Sequence, residues 1–155
     1  MAIPDEHEQG MELALEEARK AYSLGEVPIG CVILRAGKVI GRGHNLKETL
    51  QDPTAHAEMI AIRKAALALG SWRILDSVMY VTLEPCPMCA GAIVMSRIPE
   101  LVVGVRDPRT GACGSIMDIV RDNRLNHRVN VRFGVREAEC VSLLEEFFKK
   151  LRKGS

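Results

Sequence analysis

The stretch Val78-Met79-Tyr80-Val81-Thr82-Leu83-Glu84-Pro85-Cys86-Pro87-Met88-Cys89-Ala90-Gly91-Ala92-Ile93-Val94-Met95 changes its structural period half-way along. Val78 to Leu83 is an apolar run of strand length. Pro85 then ends it, and Cys86-Pro87 opens a helix, because proline is well tolerated in a first helical turn. The helix should stop near Ser96, before Pro99. Two cysteines therefore stand where a buried strand hands over to a helix.

The same pattern extends in both directions. Upstream, a helix should begin near His56 and run to Leu69, with Gly70 as its stop. From Met59 to Leu69 it is apolar almost all round, which predicts burial on most faces. Before it, Ile29 to Leu34 and Val39 to Gly43 read as strands joined by a tight turn at Ala36-Gly37. Gly41 and Gly43 leave room for another group to approach that backbone closely. A first helix should span Glu6 to Leu24, with Met11, Leu15, Ala18 and Tyr22 as its apolar stripe and Gly25 after it. Downstream, Leu101 to Val105 and Val129 to Val135 read as strands. A last helix runs from about Glu137 to Arg152, with Val141, Leu144, Phe148 and Leu151 as its stripe and Cys140, Leu143 and Phe147 alongside. Strands interleaved with helices imply an α/β protein, a sheet covered by helices on both faces. With no repeat, linker or low-complexity tract, residues 1–155 read as a single domain.

Bulk properties agree. A chain of 155 residues is the size of one ordinary domain. Hydrophobic residues at 47% and charged residues at 26% exclude a disordered chain. No apolar run approaches the ~18 residues needed to span a bilayer, so no membrane association is expected. The start, Met1-Ala2-Ile3-Pro4-Asp5-Glu6, is acidic and lacks a signal-peptide pattern, which makes the cytoplasm the expected location. Five cysteines, an odd number, fit poorly with a secreted disulfide framework. Net charge is only +1, but residues 1–96 hold nine Lys/Arg against twelve Asp/Glu, and residues 97–155 hold twelve against eight. That basic C-terminal segment suits one side of a phosphate-binding surface or, equally, a solvated mixed-charge face.

Cys86-x-x-Cys89 lets two thiolates converge on one ion. The spacing also occurs in redox motifs and in unrelated core cysteines. A structural zinc would need two more ligands, usually a second Cys-x-x-Cys, and none is present. The redox reading needs a thioredoxin-like order of elements, which is absent. A helix N-terminus favours the ionised, metal-binding thiol. A lone histidine at a helix start is more often a cap or a surface group, but His56 lies two residues before Glu58 and upstream of the Cys pair; as a third ligand it would leave a fourth position to water, the mark of a catalytic zinc. In a regular helix residues i and i+2 point about 200° apart, so His56 and Glu58 share a site only if His56 lies in an irregular helix entry. Asp52-Pro53-Thr54 suits such an entry. Glu58 could be a solvated first-turn acid, but its flank, Ala57-Glu58-Met59-Ile60-Ala61-Ile62, reads as buried. A buried carboxylate beside zinc-bound water is a candidate general acid/base. His-x-Glu followed by Pro-Cys-x-x-Cys is the signature of zinc deaminases.

The chain also resembles the bacterial tRNA-specific adenosine deaminases, over nearly its whole length. The matching segments include Glu26-Val27-Pro28-Ile29-Gly30, Asp52 to Glu58, Val81 to Cys86, Ser96-Arg97-Ile98, Asn126-His127-Arg128-Val129 and Phe147-Phe148. Many deaminases share the zinc core; the segment from Arg106 to Ser115 looks like the tRNA enzymes specifically. The resemblance implies a cytidine deaminase-like three-layer α/β/α fold with a central mixed five-stranded sheet, and a homodimer. It implies a hydrolase that converts adenosine to inosine at the wobble position (34) of a tRNA, an arginine tRNA with an ACG anticodon, through the anticodon arm. It assigns His56, Cys86 and Cys89 as ligands of one Zn2+ per subunit, Glu58 as proton shuttle, Asn45 as an adenine contact and Asp107 as a residue near the RNA backbone beside the target base.

Two rival readings share parts of this pattern. A deaminase of free guanine or cytosine would keep the core chemistry with a different pocket. A non-catalytic RNA-binding module with a structural zinc is opposed by Glu58 and by the single Cys-x-x-Cys. Cys31, Cys113 and Cys140 read as buried small hydrophobes. His7, His44 and His127 read as surface or structural residues, and Trp72 as a packing residue.

Overall fold

The computed structural model describes residues 6–154, so the Met1–Asp5 start lies outside the described residues. In chain order the elements are α1 (Glu6–Ser23), β1 (Gly30–Arg35), β2 (Lys38–His44), α2 (Lys47–Leu50), α3 (Ala57–Leu69), β3 (Val78–Leu83), α4 (Pro87–Met95), β4 (Glu100–Val105), β5 (Asn130–Phe133) and α5 (Glu137–Lys153). Eight of the nine expected elements keep close to their limits. The ninth, β5, is shorter than expected: the Val129 N–H bonds the Val120 carbonyl at 2.9 Å, and Gly134 turns the chain at φ +86°. One element, α2, was not expected. Four residues carry too little periodicity to announce a helix, and a helix that short does not stand alone.

The five strands lie in the order β2-β1-β3-β4-β5. Strand β1 runs antiparallel to β2 and β3, while β3, β4 and β5 are parallel to one another. The sheet is therefore mixed. This arrangement has a consequence for function. Gly30 opposes His44, Cys31 opposes Val81, and Leu83 opposes Val105, so the start of β1 and the ends of β2, β3 and β4 share one edge of the sheet. The loops that leave those strands all open on that edge.

Alternate strand residues face opposite layers. Cys31, Ile33, Met79, Val81, Leu101 and Val103 pack under α3 and α4 with Ala57, Ala61, Ala65, Ala90 and Ile93. Val32, Tyr80 and Val102 pack on the other face with Met11, Ala14, Leu15 and Cys140. Helix α3 sits unusually close to β2. A Cβ at Gly41 would strike the Ala61 carbonyl oxygen and one at Gly43 the Ala57 carbonyl oxygen, which is the close approach those glycines announced.

Three packing expectations fail. In α3 only Ala57, Glu58, Ala61 and Ala65 are buried, and Leu67 is 83% exposed. An alanine face lets the helix backbone approach the sheet, while Met59, Ile60, Ile62 and Leu69 are only partly covered by the described residues. In α5 the inward residues are Cys140 and Phe147, while Phe148 and Leu151 are exposed. The flank expected as secondary faces the core, because Phe147 meets the Tyr22 ring of α1 edge-on at 6.0 Å. Trp72 is 54% exposed, with the Arg73 guanidinium 4.3 Å from its ring centre, instead of packing inward. Cys31, Cys113 and Cys140 are buried and unpaired, as expected. Among the described residues no helix is long and apolar enough to cross a membrane.

Candidate active site

His56 reaches the sheet edge on a built turn. The Asp52 carboxylate accepts hydrogen bonds from the Thr54 N–H at 2.8 Å and the Thr54 hydroxyl at 2.7 Å. These hold its carboxyl below the usual value. The turn delivers His56 in extended conformation, φ −83° and ψ 153°, as the N-cap of α3. His56 is thus outside the regular helix, the condition under which it can share a site with Glu58. Its ring, spared from helical geometry, turns toward α4.

Cys86 is the N-cap of α4, with Pro87 in the first turn. Cys89 falls three residues on and is fully buried. The Cys86 thiol is lowered to about 4, first by the hydrogen bond from the Cys89 thiol and then, against burial, by the His56 ring and the Cys89 backbone N–H. Cys89 is raised, by that same hydrogen bond and by burial.

His56 Nδ1 lies 3.6 Å from the sulfur of Cys86 and 3.6 Å from that of Cys89. A tetrahedral ion with a bond of about 2.1 Å to nitrogen and about 2.3 Å to sulfur separates those two donors by about 3.6 Å. The three donor atoms lie within 4.8 Å of one another. One imidazole and two thiols suit zinc by chemistry as well as by spacing.

Glu58 lies two residues into the first turn of α3 and is 4% exposed. Burial pushes its carboxyl up to about 7. The Cys86 thiolate adds to this, and its own backbone N–H, His56 and the Cys89 thiol oppose it. A carboxyl at that value can both take and give a proton near neutral pH.

A cavity of about 130 Å³ opens over these groups, with His56, Glu58 and Cys86 on its floor and Val27, Asn45, Asp107 and Thr110 among its walls. Asn45 is buried; its Oδ1 accepts the Lys47 N–H at 3.1 Å, and its Nδ2 reaches the Val27 carbonyl at 3.5 Å. Asp107 works within its own loop. Its Oδ1 accepts the N–H of Arg109 at 2.9 Å and of Thr110 at 3.3 Å, and its Oδ2 accepts the Thr110 hydroxyl at 2.9 Å. Five of the six residues singled out in the sequence therefore line one cavity, and the sixth, Cys89, has its sulfur 3.6 Å from His56 Nδ1.

Residues 4–105 match the model of the cytidine and deoxycytidylate deaminase zinc-binding region. The tRNA-specific adenosine deaminase of Bacillus subtilis (strain 168) is 50% identical over 143 residues, 92% of this chain and 89% of its own. A solved structure from work on A-to-I editing by tRNA:A34 deaminases at the wobble position of transfer RNA superimposes with a TM-score of 0.84 at 45% identity. It covers 88% of this chain and 99% of its own. The chain belongs to the tRNA-specific adenosine deaminases. The guanine deaminase of Bacillus subtilis matches less of it: TM-score 0.62 and 39% identity, over 64% of each chain. The free-base rival is therefore not favoured, and the mixed five-stranded sheet is the cytidine deaminase-like fold.

Two buried acids of this deaminase escaped sequence reasoning. Glu26 accepts the Glu48 N–H at 3.2 Å and the Thr49 N–H, the unsatisfied donors of the first turn of α2. Glu84, 2% exposed, accepts the N–H groups of Asp107 at 2.9 Å, Cys113 at 2.9 Å and Ser115 at 3.1 Å, and the Ser115 hydroxyl. Each precedes a proline, in Glu26-Val27-Pro28 and Glu84-Pro85, and an acid in an apolar, proline-bounded run was the available signal. The partners lie 22 to 31 residues away, which the sequence does not reveal.

Proposed function

We infer that this protein hydrolyses adenosine to inosine at the wobble position (34) of a tRNA, releasing ammonia. The observation that carries the reading is a buried carboxyl, Glu58, on the floor of one cavity beside a His-Cys-Cys donor set. It stands in a chain whose likeness to tRNA deaminases extends well past the zinc-binding region. His56, Cys86 and Cys89 hold one zinc ion per subunit. Zinc, when bound, supplies the positive charge that lets a water lose its proton near neutral pH. Glu58 takes that proton as the oxygen attacks adenine C6, and delivers it to the ring nitrogen N1. It then carries the proton of the new C6 hydroxyl to the amino group; the C6–N bond breaks, ammonia leaves and C6 becomes a carbonyl. Water in and ammonia out balance the step.

Asn45 fixes the adenine, with its amide at the cavity wall. Oδ2 of Asp107 takes one hydrogen bond from its own loop, so a lone pair remains for a ribose 2′-hydroxyl. The base must be splayed out to reach the floor, which costs least in a single-stranded anticodon loop. The substrate is an arginine tRNA with an ACG anticodon. The protein acts in the cytoplasm as a homodimer.

The test is ammonia release and sequencing for A-to-I change, using an anticodon stem-loop with adenosine at position 34 beside free adenosine, guanine and cytosine. Turnover of the stem-loop alone is expected, weakening as salt rises. Turnover of guanine or cytosine with an untouched stem-loop would overturn the reading.

A further inference from the structure

Glu84 sits at the junction of the two parallel strands that end at the cavity. Its carboxylate has four lone-pair directions, and four donors fill them: the N–H groups of Asp107, Cys113 and Ser115 and the hydroxyl of Ser115. No acceptor position is left to take a proton from water or substrate, although the residue lines the cavity. The loop it holds presents Asp107 and Thr110 to that cavity. The contact is tight from the loop side as well. Gly111 approaches so closely that a Cβ there would strike the Glu84 carboxyl. The backbone has its own anchors. The Glu84 N–H bonds the Val105 carbonyl, and the Ala112 N–H bonds the Pro85 carbonyl, both at 2.9 Å. Loss of the Glu84 side-chain contacts would thus leave Cys86 in place.

We propose that Glu84 is a positioning residue for RNA recognition: its carboxylate sets the 106–115 loop, and Asp107 with it, at the cavity wall, independently of the metal and of proton transfer. The proposal rests on the reading of the protein as a tRNA deaminase. Glu84→Gln has a defined consequence. An amide NH2 in place of Oε2 would face two backbone N–H groups. In place of Oε1 it faces one N–H and a hydroxyl, and the hydroxyl can turn to accept. The amide therefore settles at the Oε1 side, and the bond lost is the one to Asp107. Gly111→Ala disturbs the same loop, because its Cβ would strike the Asp107 carbonyl oxygen as well as the Glu84 carboxyl.

The experiment measures kcat and KM on the wobble-adenosine stem-loop, zinc content and Tm for wild type, Glu84→Gln and Gly111→Ala. Both variants should raise KM roughly tenfold, keep kcat within about threefold and hold wild-type zinc. Should Glu84→Gln fail to fold, Gly111→Ala still reads the placement of the same loop, and Ser115→Ala, which removes only the hydroxyl donor to Glu84, reads the carboxylate contact. A lowered Tm with unchanged KM would make Glu84 merely structural, and a joint loss of zinc and kcat would place its role at the metal; either overturns the proposal. Wild type that leaves the stem-loop unmodified would instead remove the tRNA reading itself.

Discussion

At the scale of single residues, the site divides groups that hold from groups that move protons. Glu58 is buried beside the donor set but is not one of its three members, so Glu58→Ala should keep zinc and fold but lose turnover by at least ~10²-fold. Steady-state kinetics with zinc analysis checks this; near-normal activity would refute the proton-shuttle role. Asp107 combines two jobs, and one substitution separates them. In Asp107→Asn the Oδ1 acceptor for Arg109 and Thr110 survives, and the new NH2 can donate to the Thr110 hydroxyl, so the turn persists. Only the acceptor offered to a 2′-hydroxyl disappears. Activity on matched RNA and DNA stem-loops should therefore shift toward DNA at constant zinc content. Unchanged preference would assign Asp107 to the turn alone.

At the scale of elements, short structures are held from outside. Cys86 begins α4 and also closes the metal set, so Cys86→Ala should lose zinc and stability together. Full zinc in that variant, by elemental analysis, would sink the assignment. Helix α2 depends on Glu26 for the N–H groups of its first turn. Burial raises the Glu26 carboxyl, but the Thr49 hydroxyl and the N–H groups of Thr49 and Glu48 outweigh it, so the group lies below its ordinary 4.5. A lowered carboxyl contributes stability that is present above about 4.5 and lost as pH falls through the folded value. Glu26→Gln should thus cost ~1–3 kcal/mol at neutral pH, through a buried N–H left facing an amide. That difference should shrink below pH ~4.5. Denaturation of both proteins across pH measures it, and a gap constant down to strong acid would contradict the cause.

At the scale of the whole molecule, the chain leaves apolar surface uncovered on the α3–α4 side: Leu67 and Met95 are exposed there. A second copy would bury such surface, at ~25 cal/mol per Å² of apolar area. Light scattering at micromolar concentration should return twice the mass of one chain. A monomer mass would contradict the homodimer and leave those residues without a cover.

The sequence by itself determined the order of every element but α2, the placement of both motifs at helix starts and the chemistry of the donor set. Those signals are local: strand and helix periods, proline and glycine punctuation, and the spacing of Cys86 and Cys89. It also carried Gly41 and Gly43, because a missing side chain records a close neighbour without naming it. The stripe Met11, Leu15 and Ala18 of α1 was legible in the sequence and is buried, but only the tertiary structure decided which faces α3 and α5 bury. Helix α5 has apolar residues on two adjoining flanks, and its contact with Tyr22 on α1 selects Phe147 over Phe148. Only the tertiary structure showed that α2 exists and that Glu26 and Glu84 hold the cavity walls. A carboxylate that accepts N–H groups from a loop more than twenty residues away leaves no periodicity in its own neighbourhood. Sequence spacing governs contacts within a turn or two, and chain folding governs the rest.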